Sequence, residues 1–181
     1  MLQKWQRLSR RTILQHPRMT VVEDTVLLPS GDEATYVSED VSGHDSVAVI
    51  AVDGDKILIQ REYSYPPNEI MYQLPGGGIE RDEDVLTAAN RELSEETGFV
   101  AKNLEVIGVY YMNNRRSNRK QYVVIAKDLV VEPREGDKEE FIENEWKTRA
   151  EIREMTQSGV ALSGFMLAGL YFFDQAFTDT T

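Results

Sequence analysis

The residues of this chain best placed to do chemistry are Glu92, Glu95 and Glu96, within the stretch Gly77 to Val100, GGIERDEDVLTAANRELSEETGFV. On a helix turning about 100° per residue, Glu92 and Glu96 share a face and Glu95 lies beside them. Like charges four residues apart repel by about 0.2–0.5 kcal/mol per pair, so the patch costs stability unless a cation sits among the carboxylates. Hard oxygen ligands in this number suit Mg²⁺ or Mn²⁺, and the small Ala88 and Ala89 one turn earlier leave room for something bulky. Taken alone, the same charge run also reads as a solvated acidic helix face.

The elements that must position these glutamates are a loop and a helix. Gly76, Gly77 and Gly78 permit a tight backbone path into it. Asp82, Glu83 and Asp84 suit the positive end of a helix, and Gly98 stands where a helix stops. Leu86 and Leu93 turn away from the acidic face, toward a core.

The spacing of the whole stretch is more specific than the charge run. Gly77, five residues, Glu83, seven residues and then Arg91-Glu92-Leu93-Ser94-Glu95-Glu96-Thr97-Gly98-Phe99 fix seven identities. Chance would match them on the order of once in 10⁸ starting positions. The stretch resembles the Nudix box, G-x5-E-x7-R-E-U-x-E-E-x-G-U with U a bulky apolar residue, at every position. The family hydrolyses nucleoside diphosphates linked to a further moiety. The resemblance implies an α/β (α+β) Nudix fold, a mixed sheet sandwiched between helices. It also implies a divalent cation held by Glu92, Glu96 and the backbone carbonyl of Gly76, with Glu95 supporting or orienting. Such a cation polarises a phosphoryl oxygen and promotes attack of water on the pyrophosphate link. Arg91, by the same resemblance, fixes the glutamates through charge-assisted hydrogen bonds.

The resemblance also suggests a general base in the loop Glu135-Gly-Asp-Lys-Glu-Glu-Phe-Ile-Glu143, which is similar to the family's D/E-x-E-x-I-E run. It favours Glu140, with Glu139 second; a solvated loop carboxylate is the alternative for either. Gln60-Arg-Glu-Tyr-Ser-Tyr-Pro66 resembles the family's R-Q-Y-R-Y-P segment and nominates Arg61 for substrate binding. Ser64 departs from that pattern, standing where many ADP-ribose hydrolases carry a phosphate-contacting arginine. Tyr63, Tyr65 and Tyr72 suit either stacking on a base or core packing.

A second cluster is Asn113-Asn114-Arg115-Arg116-Ser117-Asn118-Arg119-Lys120, rich in cations in a chain whose net charge is −11. Guanidinium groups fit diphosphate oxygens, which nominates Arg115, Arg116 and Arg119 as substrate ligands, against a plain solvated loop. The overall negative charge argues against nucleic acid or anionic membrane as general partners. Without cysteine, no disulfide framework, zinc thiolate or thiol nucleophile is available. The start, MLQKWQRLSRRTIL, lacks the apolar run of a signal peptide, which places the protein in the cytoplasm. Val160 to Phe177 is apolar but broken by Ser163, Gly164, Gly169, Asp174 and Gln175, and reads as a buried or interfacial helix rather than a membrane span.

From Arg11 to Glu39 the signals are extended: Thr12–Leu14, Met19–Val22, Thr25–Leu28, a Pro29–Asp32 turn and Ala34–Val37, giving two or three antiparallel strands. We read residues 1–45 as a β-rich extension and 46–181 as the hydrolase domain. A detached sheet of that size cannot shield its own apolar faces, so the extension is expected to pack on the main domain or on a second subunit, and the resemblance to sugar-nucleotide hydrolases implies a homodimer. In the domain, strands are expected at 47–52, 57–60, 71–74, 104–111, 121–126 and 141–146, with helices over 149–158 and the C-terminal apolar run. The activity expected by resemblance is hydrolysis of nucleoside diphosphate sugars such as ADP-ribose, ADP-glucose or GDP-mannose. The alternatives are hydrolysis of dinucleoside polyphosphates or damaged nucleotides, or a Nudix-like sensor that binds a nucleotide without turnover. A sensor has no need to keep the full Glu92, Glu95, Glu96 set.

Overall fold

The chain divides into two units, residues 1–44 with 111–119, and residues 45–110 with 120–181. The computed structural model describes residues 2–41, 43–134 and 141–178. In the first unit, β1 (Gln6–His16), β2 (Met19–Leu27) and β3 (Glu33–Glu39) form an antiparallel sheet in that order. The two stretches expected at 19–22 and 25–28 are one strand, because Glu23 and Asp24 stay in the ladder through Arg11 (2.7 Å) and Arg10 (2.6 Å) across β1. Arg10 also reaches Asp40 at 2.6 Å. Every residue of β1 is exposed, whereas Val22, Val26 and Val41 are buried.

The cationic loop 111–119 belongs to this unit. Tyr36 Oη donates to Arg115 O (2.7 Å), Glu39 N donates to Arg116 O (2.7 Å), and Arg116 Nη1 donates to Val37 O (3.1 Å). The Arg116 guanidinium lies 5.5 Å from the Tyr36 ring centre, and Arg119 Nη2 pairs with Glu39 at 3.3 Å.

The second unit is built on a mixed sheet. Its strands are β4 (Ser46–Asp53), β5 (Lys56–Ser64), β6 (Glu69–Gln73), β7 (Phe99–Tyr111), β8 (Lys120–Val131) and β9 (Ile142–Thr148). The order is β6-β5-β4-β8-β7, with β9 also pairing β5; β4 and β8 run parallel. Helix α1 (Val85–Thr97) covers one face, while α2 (Arg149–Ser158) and α3 (Gly164–Thr178) belong to the other. Alternation along β5 shows the two layers: Leu58 packs with Val47, Val49 and Leu93 on the α1 side, and Ile57 and Ile59 pack with Ile152, Met166 and Leu170 on the other. This is the mixed sheet between helices, with an N-terminal antiparallel sheet, expected from the sequence.

The helix ends follow local chemistry. Thr148 and Glu151 form a reciprocal capping box for α2. The last helix begins at Gly164 rather than Val160, because Ser163 Oγ accepts from Met166 N (3.1 Å) and so starts it. Among the described residues no helix is long and apolar enough to cross a membrane.

Candidate active site

Helix α1 and the glycine loop before it build the site, all within the second unit. Asp84 caps the helix, its carboxylate accepting from Leu86 N (3.0 Å) and Thr87 N (3.1 Å). At the other end Gly98 takes the left-handed conformation (φ 77°) and its N–H closes on Ser94 O (3.0 Å). Leu93, Ala88 and Ala89 are fully buried against the sheet. The two alanines therefore do not make room for a ligand, as the sequence suggested; they let the helix backbone approach β4 and β8 closely. Burying Leu93 contributes about 1.5–3 kcal/mol to holding the helix in place.

The loop is pinned to β4: Val49 N donates to Pro75 O (2.7 Å), Val47 N to Gly77 O (2.9 Å) and Ile79 N to Asp45 O (2.9 Å). Two of its glycines are demanded by close approach. A Cβ on Gly76 (φ 147°) would collide with the Val47 carbonyl, and one on Gly77 would stand 2.5 Å from Glu92 Oε1. Only glycine at 77 lets the Glu92 carboxylate lie against the loop.

Arg91 organises the glutamates. Its Nε and Nη2 meet both oxygens of Glu83 at 3.0 Å, Nη1 reaches Glu92 Oε1 (2.8 Å) and Glu95 Oε2 (3.1 Å), and Nη2 also donates to Gly78 O (2.8 Å). A planar fork with five donors fits this task, and a lysine could not reproduce it. Hydrogen bonding to Glu83 raises the Arg91 pKa despite burial, and the same bond lowers that of Glu83. Glu92 goes the other way: burial pushes its pKa up more than Arg91 pulls it down. Glu96 turns to the loop, where its Oε2 accepts from Gly76 N (2.9 Å).

Among the described residues no three His, Cys, Asp or Glu side chains converge to ligating distance, because Arg91 holds Glu92 and Glu95 and the loop holds Glu96. The donor set nonetheless fits a hard divalent cation. Its atoms are all oxygens, the Glu92 side chain is only 13% exposed, and the Gly76 carbonyl accepts none of the bonds that pin the loop.

Gly76, Glu92, Glu95 and Glu96 thus come together, and Glu83, expected at the start of the helix, joins them through Arg91. Arg61 does not. It follows Gln60 on β5 and faces the α2 and α3 side, 5.7 Å from the Tyr72 ring centre and 3.1 Å from Glu143. Arg115, Arg116 and Arg119 lie in the first unit, engaged as described above. Glu139 and Glu140 lie outside the described residues. The flanks of their loop are tied to the last turn of α1: Arg134 N donates to Ser94 O (3.5 Å), and Asn144 Nδ2 donates to Glu96 O (2.9 Å). Neither Asn144 nor its neighbour Gln60 stands out in the sequence; Gln60 reads only as the polar residue that ends Ile57-Leu58-Ile59.

The model of the NUDIX domain matches residues 43–162. An ADP-ribose pyrophosphatase of Bacillus subtilis (strain 168) is 37% identical over 125 residues, 67% of this chain and 66% of that protein. The ADP compounds hydrolase NudE of Escherichia coli (strain K12) is 30% identical over 139 residues, 77% of this chain and 75% of that one. A crystal structure of an ADP compounds hydrolase superposes with a TM-score of 0.91 over 99% of this chain and 97% of that chain; at 24% identity it speaks for the fold alone. The matched segment holds the glycine loop, α1 and its glutamates, and on that extent of similarity the chain belongs to the NUDIX family of hydrolases.

Proposed function

We propose that the protein hydrolyses the pyrophosphate bond of nucleoside diphosphate sugars, ADP-ribose foremost, to a nucleoside monophosphate and a sugar phosphate, with Mg²⁺ as the working cation and Mn²⁺ as a substitute. The observation that carries this reading is the set of Glu92, Glu95 and Glu96 seated on the glycine loop around Arg91. The two relatives named for ADP-ribose or ADP-compound hydrolysis support the substrate class.

Glu92, Glu96 and the Gly76 carbonyl would hold the cation, with Glu95 beside them. When bound, it supplies charge neutralisation and polarisation of a phosphoryl oxygen. Arg91 holds Glu92 and Glu95 in place through its hydrogen bonds, so that little reorganisation is needed as substrate arrives. Glu140 takes the proton of the attacking water, from a loop whose two flanks are bonded to the turn that carries Glu96. A cytoplasmic location belongs to the same reading. Steady-state kcat/KM across ADP-ribose, ADP-glucose, GDP-mannose and a dinucleoside polyphosphate tests the substrate class. A preference for the last of these would overturn it.

The base assignment has its own test. Glu140→Gln should slow the chemical step by about 10²–10⁴-fold, the usual worth of a general base, and Glu139→Gln by less than tenfold. Rapid-quench single-turnover kinetics decides; if neither variant slows tenfold, the base lies elsewhere.

The dimer also belongs to this reading. β1 is an edge strand exposed along its whole length, with Leu8, Ile13 and Leu14 each more than two-fifths exposed. An unprotected edge of this kind invites pairing with a second copy. Sedimentation at micromolar concentration should give twice the 20.7 kDa chain mass, and Ile13→Lys should shift the protein toward monomer. A fully active monomer would refute the assignment.

A further inference from the structure

Gln60 is a costly residue where it stands. It is completely buried on β5 directly after Ile57, Leu58 and Ile59, and its Oε1 has no hydrogen-bond partner. An apolar side chain there would avoid stranding a buried acceptor. What its amide does is point to α1. Gln60 Nε2 donates to Asn144 Oδ1 (3.3 Å), directly opposite on β9, and Asn144 Nδ2 donates to Glu96 O (2.9 Å).

The orientation of the chain of amides follows from its far end. Glu96 O is one of the last carbonyls of α1, which have no partner within the helix. A carbonyl needs a donor, so Asn144 must present its NH₂ to it and its oxygen to Gln60. Gln60 must then present its own NH₂, which leaves Oε1 turned away and unpaired. The unsatisfied atom is therefore a consequence of the relay rather than an independent defect.

We propose that Gln60 and Asn144 are positioning residues that fix the last turn of α1, and through it the Glu96 carboxylate, for divalent-cation binding. Glu96 is held at two points, its carbonyl by Asn144 and its carboxylate by Gly76 N (2.9 Å). Losing the first lets the turn fray and the carboxylate wander. The inference rests on the cation site read above, and goes beyond it by naming what sets its affinity. Partners that orient metal ligands typically change affinity 10–100-fold when removed. Asn144 is solvent-exposed, which puts it at the lower end, about tenfold.

Mn²⁺ titration of the full-length protein without substrate, read by the EPR signal of the free ion, tests this. Asn144→Leu should weaken Mn²⁺ binding about tenfold. Gln60→Met, which keeps the volume, should weaken it several-fold while the melting temperature of the cation-free protein stays level or rises. The double variant should bind no more weakly than Asn144→Leu alone, because Gln60 acts through Asn144. At saturating Mg²⁺, kcat should return to near the unsubstituted value. Asn144→Ser, too short to reach Glu96, serves in place of Asn144→Leu if the latter does not fold. A melting temperature that falls in Gln60→Met with Mn²⁺ affinity within twofold of normal would mark a purely structural amide and overturn the proposal. So would normal affinity in both Asn144 variants. Absence of a saturable Mn²⁺ site in the unsubstituted protein would overturn the cation reading and this one together, whereas a normal site that survives the substitutions overturns this one alone.

Discussion

Glu96→Gln should lower kcat by about 10²–10⁴-fold, the equivalent of several kcal/mol of transition-state stabilisation from a bound cation. The substitution keeps the shape of the side chain, and its amide oxygen can still accept from Gly76 N, which Glu96 Oε2 meets at 2.9 Å. What is lost is one negative charge at the place where the glycine loop meets α1. The fold should survive, so the circular dichroism spectrum and melting temperature serve as controls. The loss should appear mainly in kcat and in the Mg²⁺ dependence of the rate. Near-normal turnover with unchanged cation affinity would remove Glu96 from the ligand set.

Arg91→Met should be the most damaging single change to stability. It strips the shared guanidinium from Glu83, Glu92 and Glu95, whose side chains are 12%, 13% and 26% exposed. Removing one partner of a largely buried ion pair typically costs about 3–5 kcal/mol, because the remaining charge is left without compensation. For a chain of this length the melting temperature should fall by about 6–20 °C. Arg91→Lys should recover only part of this, since an ammonium cannot bridge three carboxylates and the Gly78 carbonyl at once. The loss should shrink on acidification. Glu83 has a lowered pKa in the folded protein, so its share of the stability is present above the ordinary carboxylate pKa and vanishes as pH falls through the lowered one. Thermal melts of both proteins at pH 7 and near pH 4 measure the difference. Equal melting temperatures at pH 7 would show that Arg91 does not carry the network.

Local features of this site were legible in the sequence because their causes are local. Asp84 as cap, Gly98 as the left-handed stop and Leu93 as the buried anchor all follow from rules that act within one helix. Features that depend on partners distant in sequence were not legible. Nothing near residues 113–119 says that Arg116 and Arg119 will serve β3, whose residues lie some eighty positions earlier. Arg91 fixes the glutamates as the resemblance implies and so also relieves part of the repulsion within the acidic patch, but its bridge to Glu83 needs the loop to fold back onto α1. Arg61 matched a motif, yet the two-residue period of β5 puts it on the Ile57 and Ile59 side, away from α1. Gln60 shows only as the end of an apolar run, and its meaning needs Asn144 on the facing strand.

If the carboxylates of α1 hold the divalent cation on which pyrophosphate cleavage depends, phosphorus NMR of ADP-ribose hydrolysis should show it. With Mg²⁺ the spectrum should pass from the diphosphate pair to two phosphomonoester signals, adenosine monophosphate and ribose 5-phosphate. EDTA should stop the reaction and excess Mg²⁺ should restore it. Cleavage that continues in EDTA, release of inorganic phosphate, or no conversion at saturating Mg²⁺ would rule out cation-dependent pyrophosphate cleavage at these carboxylates.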